Sequence, residues 1–527
     1  MSEPKSNFPF YAWVPKPLGI VIMLLMFVPP TFSGGAYLCN VSEMSSDLAL
    51  WTEDIQMASF FTSIGMCLFP PFMVRYLQAR RVKQTYLVGF FLLILLNGVC
   101  ALTTSRIILF VSCFFIGIVR IMLMLNNTFT IAPYLTGMNT LAMFTMTEEP
   151  APDVQYQLER KRTFLMPVLY FVILLFSQLS NMLLAWFAYE YQWQDAYFVV
   201  IGMLMVAMFL VVMTMVEEER KPYQMEWRKV TGMLLMGVSL CCMTYILVYG
   251  KTLDWWDDEG IFWASMLLLL SGAFFLMNAY REGMRGYLPL EVFRYRNVGM
   301  SLVLFLLTIM FNSASNFITA FAKLSTPINN VQSASLSGWA AVGCFLGLLL
   351  SLILIARKAH FRIIFCIAFL LMAAANAYLY FQYQGMGLFD HMILPTVLNY
   401  TGLLILYSVV AAWGMKGLPS RYLATYVFLM IWARNAIAPV MGVSAYSNWL
   451  NQRQQYYISR LSQDVDAVRI GSSVQASSPL AAASLKGRVT KQATIVAMKD
   501  ITGDTVILLS ATAFLVLLLP YRRGETT

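Results

Sequence analysis

The chain has 527 residues, of which 59% are hydrophobic and only 12% charged, with a mean hydropathy of +0.66. Soluble domains carry about a quarter charged residues, so this composition excludes a soluble enzyme of the same length. The net charge of +9 comes without a Gly-rich basic face interleaved with aromatics, which argues against nucleic acid and for Lys and Arg that hold short loops in the cytoplasm.

Apolar runs of about the twenty residues needed to cross a hydrocarbon core recur along the chain. They predict fourteen spans: Leu18 to Leu38, Ile55 to Val74, Thr85 to Leu102, Ile107 to Thr130, Phe164 to Phe187, Ala196 to Val216 and Val230 to Tyr249, then Ile261 to Ala279, Val298 to Ala320, Ala334 to Ile355, Ile363 to Phe381, Met392 to Gly414, Leu423 to Val443 and Thr505 to Pro520. The first run holds Pro29-Pro30 and lacks a small-x-small cleavage site, so it is expected to stay as a span rather than be cut as a signal.

Basic residues set the orientation. They follow the even-numbered spans: Arg75, Arg80, Arg81 and Lys83 after the second, Arg160, Lys161 and Arg162 after the fourth, Arg228 and Lys229 after the sixth. Arg281, Arg285, Arg294 and Arg296 follow the eighth, Arg357, Lys358 and Arg362 the tenth, and Lys416 and Arg421 the twelfth. Odd-numbered short loops hold acids instead, among them Glu43, Asp47, Glu53, Asp54 and the group Asp254, Asp257, Asp258 and Glu259. Both termini are therefore expected in the cytoplasm. Two segments are long. One is an inner insertion from Thr136 to Arg162. The other is an outer segment from Ala445 to Asp504, Gln/Ser/Ala-rich, with helical stretches expected near Trp449 to Val468 and Leu480 to Lys499.

Reactive chemistry is sparse. Seven of the eight cysteines lie in apolar runs, there is no CxxC, and His360 and His391 are the two histidines, so neither a metal site nor a disulfide framework is expected. No Gly-x-x-x-x-Gly-Lys-Ser/Thr loop is present to hold ATP phosphates. No cofactor is expected.

The informative residues are polar groups inside spans. Arg120 lies in the fourth span and Arg434 in the thirteenth. A charge placed there costs at least ~2.5–3.5 kcal/mol on insertion scales, so it faces a cavity or a partner. Arg120 reads either as a coupling or cargo-contacting cation or as a structural charge hydrogen-bonded to carbonyls or neighbouring amides, and Arg434 either as a contact for an anionic group or as a packing residue. Gln178, Asn181, Asn312, Asn316, Asn376 and Asn399 sit mid-span and read either as helix glue or as the lining of a polar cavity. The 35 methionines either face lipid or line an adaptable pocket, and Trp186 and Trp339 are the aromatic candidates for such a lining.

Several stretches resemble the major facilitator superfamily, specifically its fourteen-span EmrB/QacA-type branch of drug:proton antiporters. Phe115-Ile116-Gly117-Ile118-Val119-Arg120 resembles the superfamily's intramembrane arginine motif. Tyr249-Gly250-Lys251-Thr252-Leu253-Asp254-Trp255 resembles the branch's Gly-x-x-x-x-Trp stretch, and Tyr287-Leu288-Pro289 through Phe293-Arg294 its Pro-Leu-x-x-x-Phe-Arg junction. Val489 to Ala493 followed by Asp500 resembles its closing pattern. The resemblance implies an all-α fold of two six-helix bundles, residues 1–216 and 291–527, joined by two linker spans in 217–290, with a long external loop at 445–504. It also implies a cytoplasmic gating loop at Arg75, Arg80 and Arg81, a multi-pass protein of the cell inner membrane, and a monomer. A periplasmic adaptor and an outer-membrane channel are the partners it implies.

Three hallmarks of the branch are eroded. Tyr76, Leu77 and Ala79 stand in the gating loop where an Asp, an Arg and a Gly are usual. Ser177-Gln178-Leu179-Ser180-Asn181 replaces a Gly-Pro-rich stretch in the fifth span. Ser33 stands where the first span usually carries a membrane-embedded Asp. The expectation is an exporter of hydrophobic or amphipathic small molecules driven by proton entry. The alternatives are an uncoupled or narrow-substrate facilitator or importer, and a non-transport scaffold or sensor of the cell envelope.

Overall fold

The computed structural model describes residues 9–79, 81–136, 152–217, 226–325, 328–383, 389–463 and 479–519. It is helical wherever the sequence is apolar. Thirteen described helices are long and apolar enough to cross a membrane, and a shorter apolar helix, Lys16–Phe32, precedes them. Each coincides with one of the apolar runs, and the chain is a multi-pass membrane protein. Arg80, most of the 136–162 insertion and the last residues of the chain lie outside the described residues.

The first span breaks where its prolines fall. A helix over Lys16–Leu25 gives way to a short one over Val28–Phe32, because Pro29 and Pro30 have no N–H to continue the ladder. The backbone then turns through Gly35 at φ +77°, a conformation that suits glycine. Neighbouring spans stitch this turn down. Tyr197 donates its hydroxyl to the Gly35 carbonyl at 2.5 Å, and Thr62 donates to that of Gly34 at 2.9 Å.

Spans two (Thr52–Tyr76) and four (Arg106–Ile131) cross at the closest helix contact described. A Cβ on Gly117 would lie 2.0 Å from the Thr62 carbonyl oxygen, and one on Gly65 2.1 Å from that of Phe114. Reciprocal glycines let the two backbones touch, as small residues do between membrane helices. Two further spans are interrupted. Span nine passes through a 3₁₀ turn at Ser313–Ser315, between Asn312 and Asn316. Span thirteen carries a π turn at Ala433–Ile437.

The segment at 445–504 is largely helix where it is described. Span thirteen continues to Gln463, and the last helix begins at Pro479 and runs to Leu518. Arg453 ties the two helices together, 3.2 Å from Asp500 and 3.8 Å from Asp504. Gln454 donates to Thr494 at 2.8 Å, and Tyr457 to Asp500 at 3.3 Å. The Gln/Ser/Ala-rich composition that suggests a loop is also a run of good helix formers.

The helices group into two compact units. One comprises Met1–Leu306 with Tyr407–Val440, the other Leu307–Leu406 with Met441–Thr527. The first is built on a core that includes Tyr86, Phe90, Leu93, Tyr197 and Leu204. The second is centred on Phe317, Phe321, Leu379, Tyr383, Met498 and Ile501. The unit boundary falls inside spans nine, twelve and thirteen. It does so because the basic-loop halves of spans twelve and thirteen pack within the first unit: Tyr426 donates to Ser301 at 3.1 Å, and the Cys67 thiol lies 3.8 Å from the Ile431 carbonyl.

Candidate functional site

Gly117 sets the position of Arg120, one turn further along span four. By bringing span four against span two, it commits the face carrying Arg120 to the protein interior. The Arg120 Nε is buried with no hydrogen-bond partner. The guanidinium lies within electrostatic reach of Tyr37 and of Arg434. Tyr37, just beyond the broken first span, also has a buried hydroxyl without a partner.

Arg434 sits inside the π turn of span thirteen. Such turns add one residue to a helical turn and are frequent at functional sites. The Arg434 Nε donates to Asn435 Oδ1 at 3.1 Å, and its guanidinium lies 5.8 Å from the Tyr170 ring centre, a cation–π distance. The Asn435 amide nitrogen is buried and has no partner.

Arg434 faces a cavity of about 180 Å³ within the first unit. Spans four and five supply one wall, through residues 121–129 and 162–173. Spans twelve and thirteen supply the other, through Ala411, Met415 and residues 423–434. The walls are mostly apolar, with Met124, Met166, Met415 and Met430 among them, and Arg162 stands at the basic-loop end. The methionine reading thus has a place in the structure. Trp186 and Trp339 are not part of this lining, being 42% and 43% exposed.

The remaining polar candidates are dispersed. Ser33 is fully buried and accepts a 2.6 Å hydrogen bond from Asn97 Nδ2, which also donates to the Leu93 carbonyl at 2.7 Å. Asn399 Nδ2 donates to Asn312 Oδ1 at 2.8 Å, joining spans twelve and nine inside the second unit. Asn376 bonds back to the Met372 carbonyl in its own helix. Gln178 is buried, while Asn181 and Asn316 are exposed. In the gating loop, Arg75 pairs with Glu226 at 2.8 Å, and Glu226 also pairs with Lys229 at 2.7 Å. Arg81 is exposed and donates to Gln84 at 3.3 Å. Asp258 caps the eighth span by accepting from the backbone of Gly260 and Ile261, and His391 bonds Gln382. No cluster able to hold a metal occurs among the described residues.

Three participants are not evident from sequence. Tyr170 is one of many tyrosines in spans and becomes informative only beside Arg434. Arg162 reads as a topology-setting charge, yet it reaches the cavity. Asp54 reads as an outer-loop acid, yet it is the one fully buried carboxylate among the described residues, 4% exposed. It accepts the Tyr249 hydroxyl and the Trp51 backbone N–H. The short spacing Trp51-x-x-Asp54 at a helix start is the signal that points there.

A second cavity of about 560 Å³ lies in the second unit, lined by Tyr380, Tyr457, Lys499, Asp500 and Asp504 among others. Its polar groups engage one another or Arg453, and Lys499 lies 4.9 Å from the Tyr380 ring. None of its lining residues carries an unpaired buried donor.

A helical membrane protein with these apolar spans in this order has the fold of major facilitator superfamily-type transporters. Solved structures similar to it include a POT family transporter in complex with 5-aminolevulinic acid, with a TM-score of 0.55 at 13% identity over 95% of this chain and 97% of that one. An auto-inhibited POT family peptide transporter matches with a TM-score of 0.52 at 14% identity, covering 96% and 98%. The nucleoside transporter NupG matches with a TM-score of 0.50 at 11% identity, covering 95% and 98%. No protein-family model and no curated protein matches the chain. At these identities the likeness concerns the fold.

Proposed function

We propose that this protein is a secondary transporter of the cell inner membrane that moves amphipathic small molecules outward by alternating access. The observation that carries this reading is the cavity at Arg434, apolar in its walls and built jointly from spans four and five and spans twelve and thirteen. Rocking of two bundles exposes such a mid-chain site first to one side and then to the other. The EmrB/QacA-type branch remains the finer assignment, resting on the motifs around Arg120, Tyr287 and Asp500, and an adaptor and outer-membrane channel would fit it.

Proton antiport requires a carboxylate that gains and loses a proton during the cycle. Asp54 is the candidate, buried against Tyr249 at the start of span two. An uncoupled facilitator is the rival reading.

The experiment is efflux of a fluorescent amphipathic dye from energised cells, with a protonophore added midway. A transporter reading expects efflux that fails in Leu169→Trp, because Leu169 lines the cavity and the indole would fill it. Full efflux from that variant would remove the cavity from the transport path. Efflux that stops with the protonophore in the wild type, but ignores it in Asp54→Asn, supports coupling through Asp54. Efflux indifferent to the protonophore throughout supports the facilitator.

A further inference from the structure

We propose that the cargo of the cavity at Arg434 is an amphipathic anion, an acidic headgroup of the carboxylate or sulfonate kind on an apolar body. This deepens the transport reading above and rests on it.

Two buried hydrogen-bond donors of the first unit have nothing to donate to. Arg120 Nε and Asn435 Nδ2 are both buried without a partner; neither lines the cavity, and Asn435 is bonded to Arg434, which does. Arg434 makes one hydrogen bond, through Nε to the oxygen of that same Asn435, so the outer edge of its guanidinium is left without an acceptor among the described residues. A guanidinium's free fork matches the two oxygens of a carboxylate or the oxygens of a sulfonate. Buried donors are normally satisfied, and a set of them with no acceptor is a place where a ligand brings one.

Charge points the same way. Arg162 and Arg434 line the cavity, and Arg120 is close enough to Arg434 to feel its charge. None of the three forms an ion pair among the described residues. Glu159 is within electrostatic reach of Arg162 and offsets it in part. It accepts the Gly417 backbone N–H at 3.2 Å, however, and is not part of the lining. Arg434 and Arg120 have no such acid beside them among the described residues. Like charges held in low dielectric without counter-ions are unfavourable. A cationic cargo would add a further like charge. A neutral cargo would leave the guanidinium desolvated and uncompensated. An anion relieves both.

The walls define the rest of the molecule. Met124, Met166, Met415 and Met430 belong to the same lining as Arg434. Thioether side chains adapt to varied apolar shapes. The headgroup is therefore the selective element, and the body is selected only for being apolar.

The test uses the purified full-length protein in detergent and three probes with one apolar body: naphthalene carboxylate, the neutral naphthalene carboxamide, and naphthylmethylammonium. Binding is read by thermal stabilisation and by displacement of a fluorescent dye. The expected result is that the carboxylate binds at least about tenfold more tightly than the amide, and that the ammonium does not bind. Arg434→Gln should remove the preference for carboxylate over amide, and Arg434→Lys should retain part of it. Equal binding of carboxylate and amide to the wild type, or an unchanged preference in Arg434→Gln, overturns the anion assignment. In those cases the cavity still stands as a binding site if Leu169→Trp abolishes the signal. No Leu169→Trp-sensitive binding by any probe would remove both this inference and the transport reading it rests on. The wild-type comparison alone decides the charge preference, so a variant that fails to fold leaves the test intact.

Discussion

The contact between spans two and four lends itself to a quantitative test. An alanine Cβ at position 117 would sit 2.0 Å from the Thr62 carbonyl oxygen and 3.0 Å from the Met66 nitrogen, where 3.4 Å marks the near edge of ordinary contact. About 1.4 Å of clearance must be found, and the obstacle is helical backbone rather than a flexible side-chain tip. Overpacking of a tight interior typically costs ~1–3 kcal/mol, and rigid backbone on both sides places Gly117→Ala in the upper part of that range. Gly65→Ala opens the same gap, since its Cβ would lie 2.1 Å from the Phe114 carbonyl oxygen. Once one alanine has forced the helices apart, the second fits more easily. The double variant should therefore lose clearly less than the two single losses added together, a coupling of ~0.5 kcal/mol or more between residues in contact. Thermal unfolding of the four proteins in one detergent measures this. An unperturbed Gly117→Ala would refute the close approach, and strict additivity would refute the shared gap. Because Gly117 fixes the face on which Arg120 lies, the same variants should also lose cargo binding ahead of global stability.

Other substitutions probe the polar contacts. Asp54→Ala leaves the Tyr249 hydroxyl without its acceptor and should lower stability by ~1–3 kcal/mol, read by thermal melting; no change would make Asp54 a solvated acid. Asn399→Ala removes the hydrogen bond to Asn312 and should cost ~0.6–1.7 kcal/mol, with dye efflux retained; lost efflux at full stability would give this pair a role in transport. Ser33→Ala removes one of two acceptors from Asn97 and should cost no more than ~1 kcal/mol. Arg453→Ala breaks a pair that is 40% exposed, and its melting temperature should shift by less than ~1 kcal/mol would produce.

Element placement was legible in the sequence because a bilayer-length apolar run is a strong and local signal. The break at Pro29-Pro30 follows from residues within the run itself, since proline acts on its own backbone. Arg120 and Arg434 stand out because charge in a span is rare. Their surroundings were not legible. That Arg434 sits over Tyr170, that Arg162 reaches the cavity, and that Asp54 is covered by Tyr249 all depend on residues distant in sequence meeting in space. The amides show the converse. Read together they suggest one polar lining, but Asn399 donates to Asn312 and Asn376 bonds its own helix, while Asn181 and Asn316 are exposed. Which amide meets which partner is a matter of packing that the sequence pattern cannot reveal. The outer segment was ambiguous because helix propensity without a full apolar face is weak evidence from sequence, and the ladder from Arg453 to Asp500 and Asp504 supplies what propensity lacks.

That paired outer helix also works as a ruler. The helix Ala483–Leu518 has 36 residues, about 54 Å at 1.5 Å per residue, against a hydrocarbon core of about 30 Å. That exceeds the core by about 20 Å, and Arg453, Gln454 and Tyr457 on the neighbouring helix hold it around residues 494–504. Cysteines placed at Gln454 and Thr494, whose side chains already bond, should crosslink without loss of folding. A single cysteine at Arg488 should react with a membrane-impermeant thiol reagent applied from outside intact cells. Whatever meets this protein beyond the membrane surface would meet it at a fixed height, set by the number of helical turns rather than by the reach of a flexible chain.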